Sequence, residues 1–518
     1  MKRRTFIRNL GGTVAATGLS SSFGFGIPGA QTIQQLLNIA LDSDKALVLI
    51  YLEGGNDGLN TVIPLDQLSA LNAVRPHVML PDSSLINLPQ TNVALHPSLT
   101  GFSKLYNQGR LGIVQSVGYE NQSYSHFRST DIWMSASDAN QQVNTGWSGR
   151  LLNKEYPAFP VNFPNDTMPD PLAIEMGSGS SLLFQGPSAT MSMSISNETA
   201  FHNLINDVEE PAPNTPAGEQ LKYIRLVARQ SQEYGAVVKT AAEKVTQQAS
   251  FPDTGLATQL KIVSRLIAGG LQTPIYLVRL GGFDTHSNQV VASDHTTGGH
   301  ADLLKELDDA VMAFMTDLEQ QGTGDKVMGL TFSEFGRRIV SNASQGTDHG
   351  AAQPMFFFGN KVKGGVIGNN PIISTAATYE DNLPMQYDFR QVYASAMQQW
   401  LGTSSATSSD MLFKEFQTLA LIGTSDITGV EESLNKNGLR VYPNPINGNT
   451  TITYLSSGEK VSINLFDIQG RKQAHLFTGV KPRGKQLLKW NSNGISPGKY
   501  MVVIESAAGK QVASVIKN

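Results

Sequence analysis

Apolar runs that end in polar, glycine-containing turns alternate with helical patterns through most of the chain. Continuous apolar runs of this length are typical of strands buried on both faces of a parallel sheet. They are Ala46–Leu52, Leu111–Val117, Pro274–Leu280, Val327–Phe332 and Met355–Phe358. Helical periodicity runs through Gly218–Gln248, Thr258–Leu271 and Leu303–Leu318. The alternation predicts an α/β domain over residues 45–402, with a mostly parallel sheet flanked by helices.

The composition changes after about Thr428. Residues 403–437 are predicted to be a linker, and residues 438–518 contain short, half-buried strand patterns with almost no helical periodicity. Such a segment is predicted to form a small all-β sandwich. It contains no cluster of titratable residues, so no chemistry is assigned to it.

Residues 1–30 are interpreted as an export signal. Arg3 and Arg4 precede a weakly apolar segment rich in Gly, Ala and Ser, which is typical of a twin-arginine signal peptide, with an ordinary Sec signal as the alternative. No other segment reaches the roughly 18 continuous apolar residues that a membrane span needs. We therefore expect a mature protein without a transmembrane segment, exported through the periplasm to the outer surface or the medium.

Charge and cysteine content exclude several kinds of site. The formal net charge of −4 gives no basic field of the kind that nucleic-acid binding requires. The chain has no cysteine, which excludes disulfides, thiolate metal ligands and cysteine nucleophiles. Any metal must be held by carboxylates, imidazoles, hydroxyls or backbone oxygens, a set that suits Zn, Mn, Mg or Ca.

Three glycine turns that carry Asp and His give the candidate metal ligands. Polar groups just past the carboxyl end of a strand are where α/β proteins bind ligands. The candidates are Asp57 in Glu53–Gly58, Asp284 and His286 in Gly281–His286, and Asp348 and His349 in Gly346–Gly350. His300, at the start of the next helix, is predicted to face the same cleft. For Asp57 a plain Asn-Asp-Gly turn remains the alternative.

Two polar segments that follow strands give the candidate catalytic residues. Ser125, His126 and Arg128 offer a hydroxyl, an imidazole and a guanidinium within four residues, although Ser125 also suits the N-cap of a helix. Glu334 follows the Val327–Phe332 run, and its alternative is a structural ion pair with Arg337.

The tail resembles a type IX secretion sorting domain. The resemblance rests on Val441–Pro445, Leu465–Arg471 and Gly494–Tyr500, in that order. It implies passage across the outer membrane of a Bacteroidetes-type cell, with the type IX secretion machinery as the partner.

The main domain resembles the bacterial domain of unknown function 1501 (DUF1501) family, which is similar to the alkaline phosphatase and sulfatase superfamily. The resemblance rests on five motifs: Glu53–Gly58, Ser125–Ser129, Gly281–His286, Ser333–Arg337 and Thr347–Gly350. It implies two divalent metal ions. Asp57, Asp348 and His349 would bind the first beside Ser125 as the nucleophile, and Asp284 and His286 would bind the second.

The resemblance departs from the superfamily in its ligand spacing. Thr285 alone separates Asp284 from His286, where the superfamily usually has three residues, and His300 or His126 would have to replace the usual last histidine.

Together, the two resemblances predict a secreted metal-dependent hydrolase of phosphate or sulfate esters, acting on a small molecule or a polysaccharide. The alternative is a surface or binding protein that keeps the fold without turnover.

Overall fold

The chain divides into two units, Met1–Asp426 and Ile427–Asn518. The computed structural model describes residues 45–166, 168–196, 215, 233–423 and, with short gaps, 439–517. The predicted signal peptide at 1–30 and residues 424–437 of the predicted linker lie outside these ranges. Within them, every helix is too short or too polar to cross a bilayer.

Each of the five predicted apolar runs forms a strand of the first unit. The described strands are β1 (Ala46–Glu53), β2 (Val62–Pro64), β3 (Ile86–Asn87), β4 (Val93–Leu95), β5 (Leu111–Gly118), β6 (Ala173–Met176), β7 (Met193–Ile195), β8 (Ile275–Gly281), β9 (Val327–Phe332), β10 (Arg337–Asn342), β11 (Gly346–His349), β12 (Gln353–Phe358), β13 (Gly365–Ile367) and β14 (Tyr387–Asp388).

The helices of the first unit lie between these strands. They are α1 (Gly58–Thr61), α2 (Leu68–Val74), α3 (Thr100–Asn107), α4 (His126–Ser135), α5 (Trp147–Glu155), α6 (residues 233–243), α7 (Gly255–Ala268), α8 (Gly299–Gln320), α9 (Phe389–Ser395, continued by a π-helical turn, Ala396–Trp400) and α10 (Ser405–Leu412). The described part of the helix predicted over Gly218–Gln248 is α6, which ends at residue 243.

The main sheet has the strand order β13-β5-β12-β9-β1-β8-β6-β7, and β14 pairs with β5. β1 is parallel to both β8 and β9, and β6 is parallel to β8 and β7. β12 runs antiparallel to β5 and β9. This topology confirms the predicted α/β class with a mostly parallel sheet. The small β2-β4-β3 sheet and the β10-β11 hairpin lie outside it.

Both faces of the main sheet are buried, which explains the uninterrupted apolar run of β1. Leu49 and Tyr51 pack on the side of Trp133 in α4, whereas Val48 and Ile50 pack on the side of α7 and α8. Alternate side chains of a strand point to opposite faces, so every position of a strand between two helix layers is apolar. Because β1 is parallel to both β8 and β9, the carboxyl ends of these three strands lie at the same edge of the sheet.

The first part of the predicted linker belongs to the first unit instead. Residues 405–412 form α10, and Leu412, Leu421 and Ile422 are buried in the core on the Trp133 side of the sheet. Ser404 caps α10 by accepting a hydrogen bond from the Thr407 backbone N–H.

The second unit confirms the predicted small all-β sandwich. Its two antiparallel sheets share one core that includes Ile452, Ile463 and Val502. The sheets have the orders β15-β16-β19 and β18-β17-β20-β21, with β15 Arg440–Tyr442, β16 Asn449–Ser456, β17 Lys460–Asp467, β18 Lys472–Val480, β19 Gly484–Asn491, β20 Gly498–Ser506 and β21 Gly509–Lys517.

Candidate metal centre

The turns after β1 and β8 lie against each other at the carboxyl edge of the sheet. The Phe283 backbone N–H donates to the Glu53 carbonyl at 3.1 Å. Gly54 adopts a positive φ of 121°, and a Cβ there would lie 2.4 Å from the Asp284 backbone nitrogen. Only glycine fits this contact, which sets the position of Asp284.

The segment that carries Asp348 and His349 is strand β11 rather than a free turn. It pairs with β10, and the Thr347 backbone N–H donates to the Thr285 carbonyl at 3.1 Å. A Cβ on Gly346 would lie 2.2 Å from the His286 carbonyl oxygen, so the two segments touch. Asp284 and His286 are thereby brought next to Asp348 and His349.

Three ligand atoms from these segments form a small triangle. Asp284 Oδ1 lies 3.0 Å from His349 Nε2 and 3.2 Å from His286 Nε2. The two Nε2 atoms are 2.9 Å apart. Nitrogen and oxygen ligands lie about 2.1 Å from a zinc ion, which separates neighbouring ligand atoms by about 3.4 Å in a tetrahedral site. The triangle is close to that spacing and slightly smaller.

The hydrogen bonds of the two histidines fix their tautomers. His286 Nδ1 lies 2.9 Å from Asp348 Oδ1, and His349 Nδ1 lies 2.8 Å from the Tyr124 carbonyl oxygen. A carbonyl and an ionised carboxylate only accept, so each Nδ1 carries the proton and donates it. In the neutral ring Nε2 then keeps its lone pair. Two lone pairs and the Asp284 carboxylate converge on one point, which is the arrangement of a metal site.

His126, the first residue of α4, adds a third imidazole of the same kind. Its Nδ1 donates to Glu334 Oε1 at 2.7 Å, and its Nε2 lies 3.4 Å from Asp284 Oδ2. His126, Asp284 and His349 offer ligand atoms that all lie within 4.8 Å of one another. This group is a candidate metal site within the part of the chain that the structure describes.

Glu334 and Arg337 hold in place the segments around the candidate metal ligands. Among the described residues, no hydrogen bond joins Glu334 to Arg337. Glu334 is fully buried and accepts from the Gly54 backbone N–H at 3.0 and 3.2 Å. Arg337 NH2 donates to Asp284 Oδ1 at 2.8 Å, while its Nε and NH1 donate to the carbonyls of Gly55 and Thr347, each at 2.7 Å. One buried guanidinium thus ties together the three segments that form the site.

The charges around the cluster suit a cation. Burial opposes ionisation of Asp284, but its contacts with Arg337 and His349 together outweigh burial and lower the pKa of Asp284 to about 2. Burial also opposes ionisation of Asp348, but hydrogen bonds from His286 and Asn342 together outweigh it, so the pKa of Asp348 is lowered. Burial lowers the pKa of His349. Near neutral pH the site therefore offers ionised carboxylates and a neutral His349.

A family model described as "Protein of unknown function (DUF1501)" matches residues 117–397, which is more than half of the chain. The chain belongs to the DUF1501 family. All five residues of the cluster, His126, Asp284, His286, Asp348 and His349, lie inside the DUF1501 match, whereas Asp57 lies outside it.

A second model, described as "Secretion system C-terminal sorting domain", matches residues 440–518. This match confirms the predicted sorting domain. It implies interaction with the type IX secretion machinery and export of this DUF1501 protein to the cell surface or the medium.

Solved structures give only weak similarity to the DUF1501 protein. PsFucS1 sulfatase from Pseudoalteromonas sp. matches at 11% identity and TM-score 0.35, covering 89% of this chain and 86% of its own. A protein in the alkaline phosphatase superfamily from Vibrio parahaemolyticus matches at 10% identity and TM-score 0.33, covering 81% and 76%. These scores are too low to assign an activity.

PorZ, a surface component of the type IX secretion system of Porphyromonas gingivalis, matches at 23% identity and TM-score 0.14. The match covers 19% of this chain and only 13% of PorZ. No curated protein matches the chain.

Asp57 and His300, two of the predicted metal ligands of the DUF1501 protein, lie outside the cluster. Asp57 is 1% exposed, forms an ion pair with the buried Arg75 and accepts from Gln289 Nε2 at 2.5 Å. His300 is 1% exposed, and its Nε2 lies 3.0 Å from Asn56 Oδ1. Both were predicted from their place after strands and turns. Arg75 forms an ion pair with the Asp57 carboxylate, and it belongs to no sequence motif that would have predicted this pair.

Among the predicted catalytic residues of the DUF1501 protein, Ser125 lies beside the cluster and Arg128 points away from it. Ser125 is the exposed N-cap residue of α4, and its side chain makes no capping hydrogen bond. Its neighbours on both sides contact the cluster, Tyr124 through its carbonyl and His126 through its ring. Arg128 instead donates to the carbonyls of Asp138, Ala139 and Gln141.

Proposed function

We propose that the first unit is an exported, metal-dependent hydrolase of phosphate or sulfate esters. Asp284, His286 and His349 would hold a divalent cation, with His126 beside them. The supporting observation is the convergence of two imidazole lone pairs and one carboxylate oxygen at 2.9 to 3.2 Å. With both imidazoles neutral, no proton lies between these three atoms and they repel one another, so the geometry favours a bound cation.

The donor set is chemically suited to such an ion. Two imidazoles and one carboxylate are ligands for Zn, Mn or Fe, and three protein ligands leave positions open for a substrate oxygen. Asp284 is 46% and His286 45% exposed on their side chains, so a substrate has access to the same point. When bound, the ion would neutralise charge on the ester group that is transferred.

Ser125 is the proposed nucleophile. Its hydroxyl is exposed, forms no capping bond and stands at the start of α4, between two residues that contact the cluster. The N-terminus of a helix favours an anion, because its free N–H groups and its dipole both point towards the ligand. In the proposed reaction the Ser125 oxygen bonds to the phosphorus or sulfur as the bond to the ester oxygen breaks, and the alcohol leaves with the proton that Ser125 gives up. Water then cleaves the serine ester, which releases phosphate or sulfate and restores the Ser125 hydroxyl.

The described residues favour one metal ion rather than the two that the superfamily resemblance predicts. Asp57 is already neutralised by Arg75 and hydrogen bonded by Gln289, so it would have to give up both contacts to bind a metal. This observation also favours the second candidate function, a surface protein that binds a metal without turnover.

Two measurements on the full chain test these proposals. Metal content is measured on purified wild type and His349→Ala. Hydrolysis of p-nitrophenyl phosphate and p-nitrophenyl sulfate is measured on wild type, Ser125→Ala and a control, Ser84→Ala, which removes the hydroxyl of a half-buried serine that donates to the Pro81 carbonyl. We expect bound metal in wild type, its loss in His349→Ala, and loss of turnover only in Ser125→Ala.

Each other outcome has a defined meaning. Bound metal with no turnover of either ester supports the binding protein. Equal turnover in wild type and Ser125→Ala contradicts the nucleophile, and a wild type that retains no metal after metal-replete folding contradicts both functions.

A further inference from the structure

Gln289 occupies the space between the two ligand-bearing segments. Its side chain is fully buried, and its Oε1 accepts from Thr347 Oγ1 at 2.7 Å and from Thr285 Oγ1 at 3.2 Å. Thr285 separates Asp284 from His286, and Thr347 directly precedes Asp348. One amide oxygen therefore joins both segments through their threonine side chains.

Asp57 determines which way the Gln289 amide points. Gln289 Nε2 donates to Asp57 Oδ2 at 2.5 Å, and because a carboxylate only accepts, Nε2 must face Asp57 and Oε1 must face the threonines. Asp57 is itself held by the ion pair with Arg75, which also donates to the carbonyls of Arg338 and Ile339, each at 2.9 Å. The chain of contacts thus reaches strand β10, the partner of β11.

We infer that Gln289, oriented by Asp57, is a positioning residue that sets the spacing between the Asp284–His286 and Asp348–His349 segments and so determines metal affinity. The inference rests on the proposed metal binding at this cluster. In this inference Asp57 orients Gln289 and is not itself a metal ligand. A shift of a few tenths of an ångström matters, because metal–ligand distances tolerate only about ±0.2 Å.

A carboxylate in place of the Gln289 amide tests this inference. In Gln289→Glu the new carboxylate would face Asp57 across the present 2.5 Å contact, and like charges at that distance repel and displace one or both side chains. The spacing between the two segments is then lost.

The measurement is the affinity of the full chain for Zn²⁺ and Mn²⁺ by titration calorimetry. We expect at least about tenfold weaker binding in Gln289→Glu, as for other residues that orient metal ligands. A purely structural role for Gln289 would lower thermal stability without lowering the metal affinity of the folded variant.

Gln247 offers a matched control. Its Nε2 donates to the buried Asp317 Oδ2 at 2.6 Å, so Gln247→Glu places a carboxylate against an aspartate in the same way, but away from the cluster. We expect Gln247→Glu to lose thermal stability and to bind Zn²⁺ with wild-type affinity.

Two results would overturn the inference: wild-type affinity in folded Gln289→Glu, or equal loss of affinity in Gln247→Glu. If Gln289→Glu does not fold, Thr347→Val removes the 2.7 Å hydrogen bond while keeping the side-chain shape, and wild-type affinity there also overturns it. A wild type that binds neither ion instead contradicts the proposed function, so the two failures are distinguishable.

Discussion

Two glycine turns that look alike in the sequence have opposite roles in the structure. The turn after β1 carries Asp57, and the turn after β8 carries Asp284, on strands that pair in parallel. Asp57 is 1% exposed, with Arg75 and Gln289 on its carboxylate, whereas the Asp284 side chain is 46% exposed and faces three imidazoles. The residues packed against a carboxylate at a strand end therefore decide whether it stabilises the fold or is available to bind a ligand.

The largest expected effect is the loss of stability in Asp57→Ala. Removing one partner of a buried ion pair leaves an uncompensated charge, here Arg75, and costs about 3 to 5 kcal/mol. Asp348→Ala, at a half-exposed side chain, is expected to cost less than about 1 kcal/mol in the presence of a chelator. Urea unfolding of both variants measures the difference, and equal losses would contradict the contrast.

The next effect is on metal affinity. His349→Ala removes a ligand from the triangle and is expected to weaken Zn²⁺ binding by at least about 100-fold, or about 2.7 kcal/mol. His77→Ala, at an exposed histidine, is the control and should bind like wild type. Titration calorimetry reports both, and strong binding by His349→Ala would remove His349 from the ligand set.

Lowering the pH is expected to reduce the free energy of unfolding through the buried His300. Burial lowers the pKa of His300 to about 4, so between about pH 6.5 and pH 4 the unfolded state binds more protons and stability falls as the pH falls. From pH 7 to pH 5 this contributes about 2 kcal/mol of lost unfolding free energy. The loss should be smaller by that amount in His300→Gln. Urea unfolding at both pH values tests it, and identical pH dependence of the two proteins would refute it.

The smallest effect is expected at Glu334. In Glu334→Gln the amide oxygen can still accept from Gly54 and His126 at the Oε1 position, but the negative charge that strengthens the His126 hydrogen bond is lost. The Nδ1 proton of His126 is then held less strongly, and we expect Zn²⁺ affinity to fall about tenfold. Glu380→Gln, at a side chain 89% exposed, serves as the control. Unchanged affinity in Glu334→Gln would show that His126 does not contribute to binding.

The fold and the cluster could largely be predicted from the sequence because both depend on local patterns. Apolar runs located β1, β5, β8, β9 and β12, and Asp–His pairs beside glycines gave the residues at the site. The burial of Asp57 could not be predicted in this way. It depends on Arg75, the residue that ends α2, and on Gln289, which stands in no motif, so only tertiary packing reveals it.

The separation of the cluster residues along the chain has a consequence for unfolding. His126, Asp284 and His349 come from distant parts of the sequence, so an ion that bonds all of them acts as a cross-link closing two long loops. Such a link reduces the conformational freedom of partly opened states. Metal loading would then make the first unit resist proteolysis, and a chelator would make it cleavable without any change in sequence.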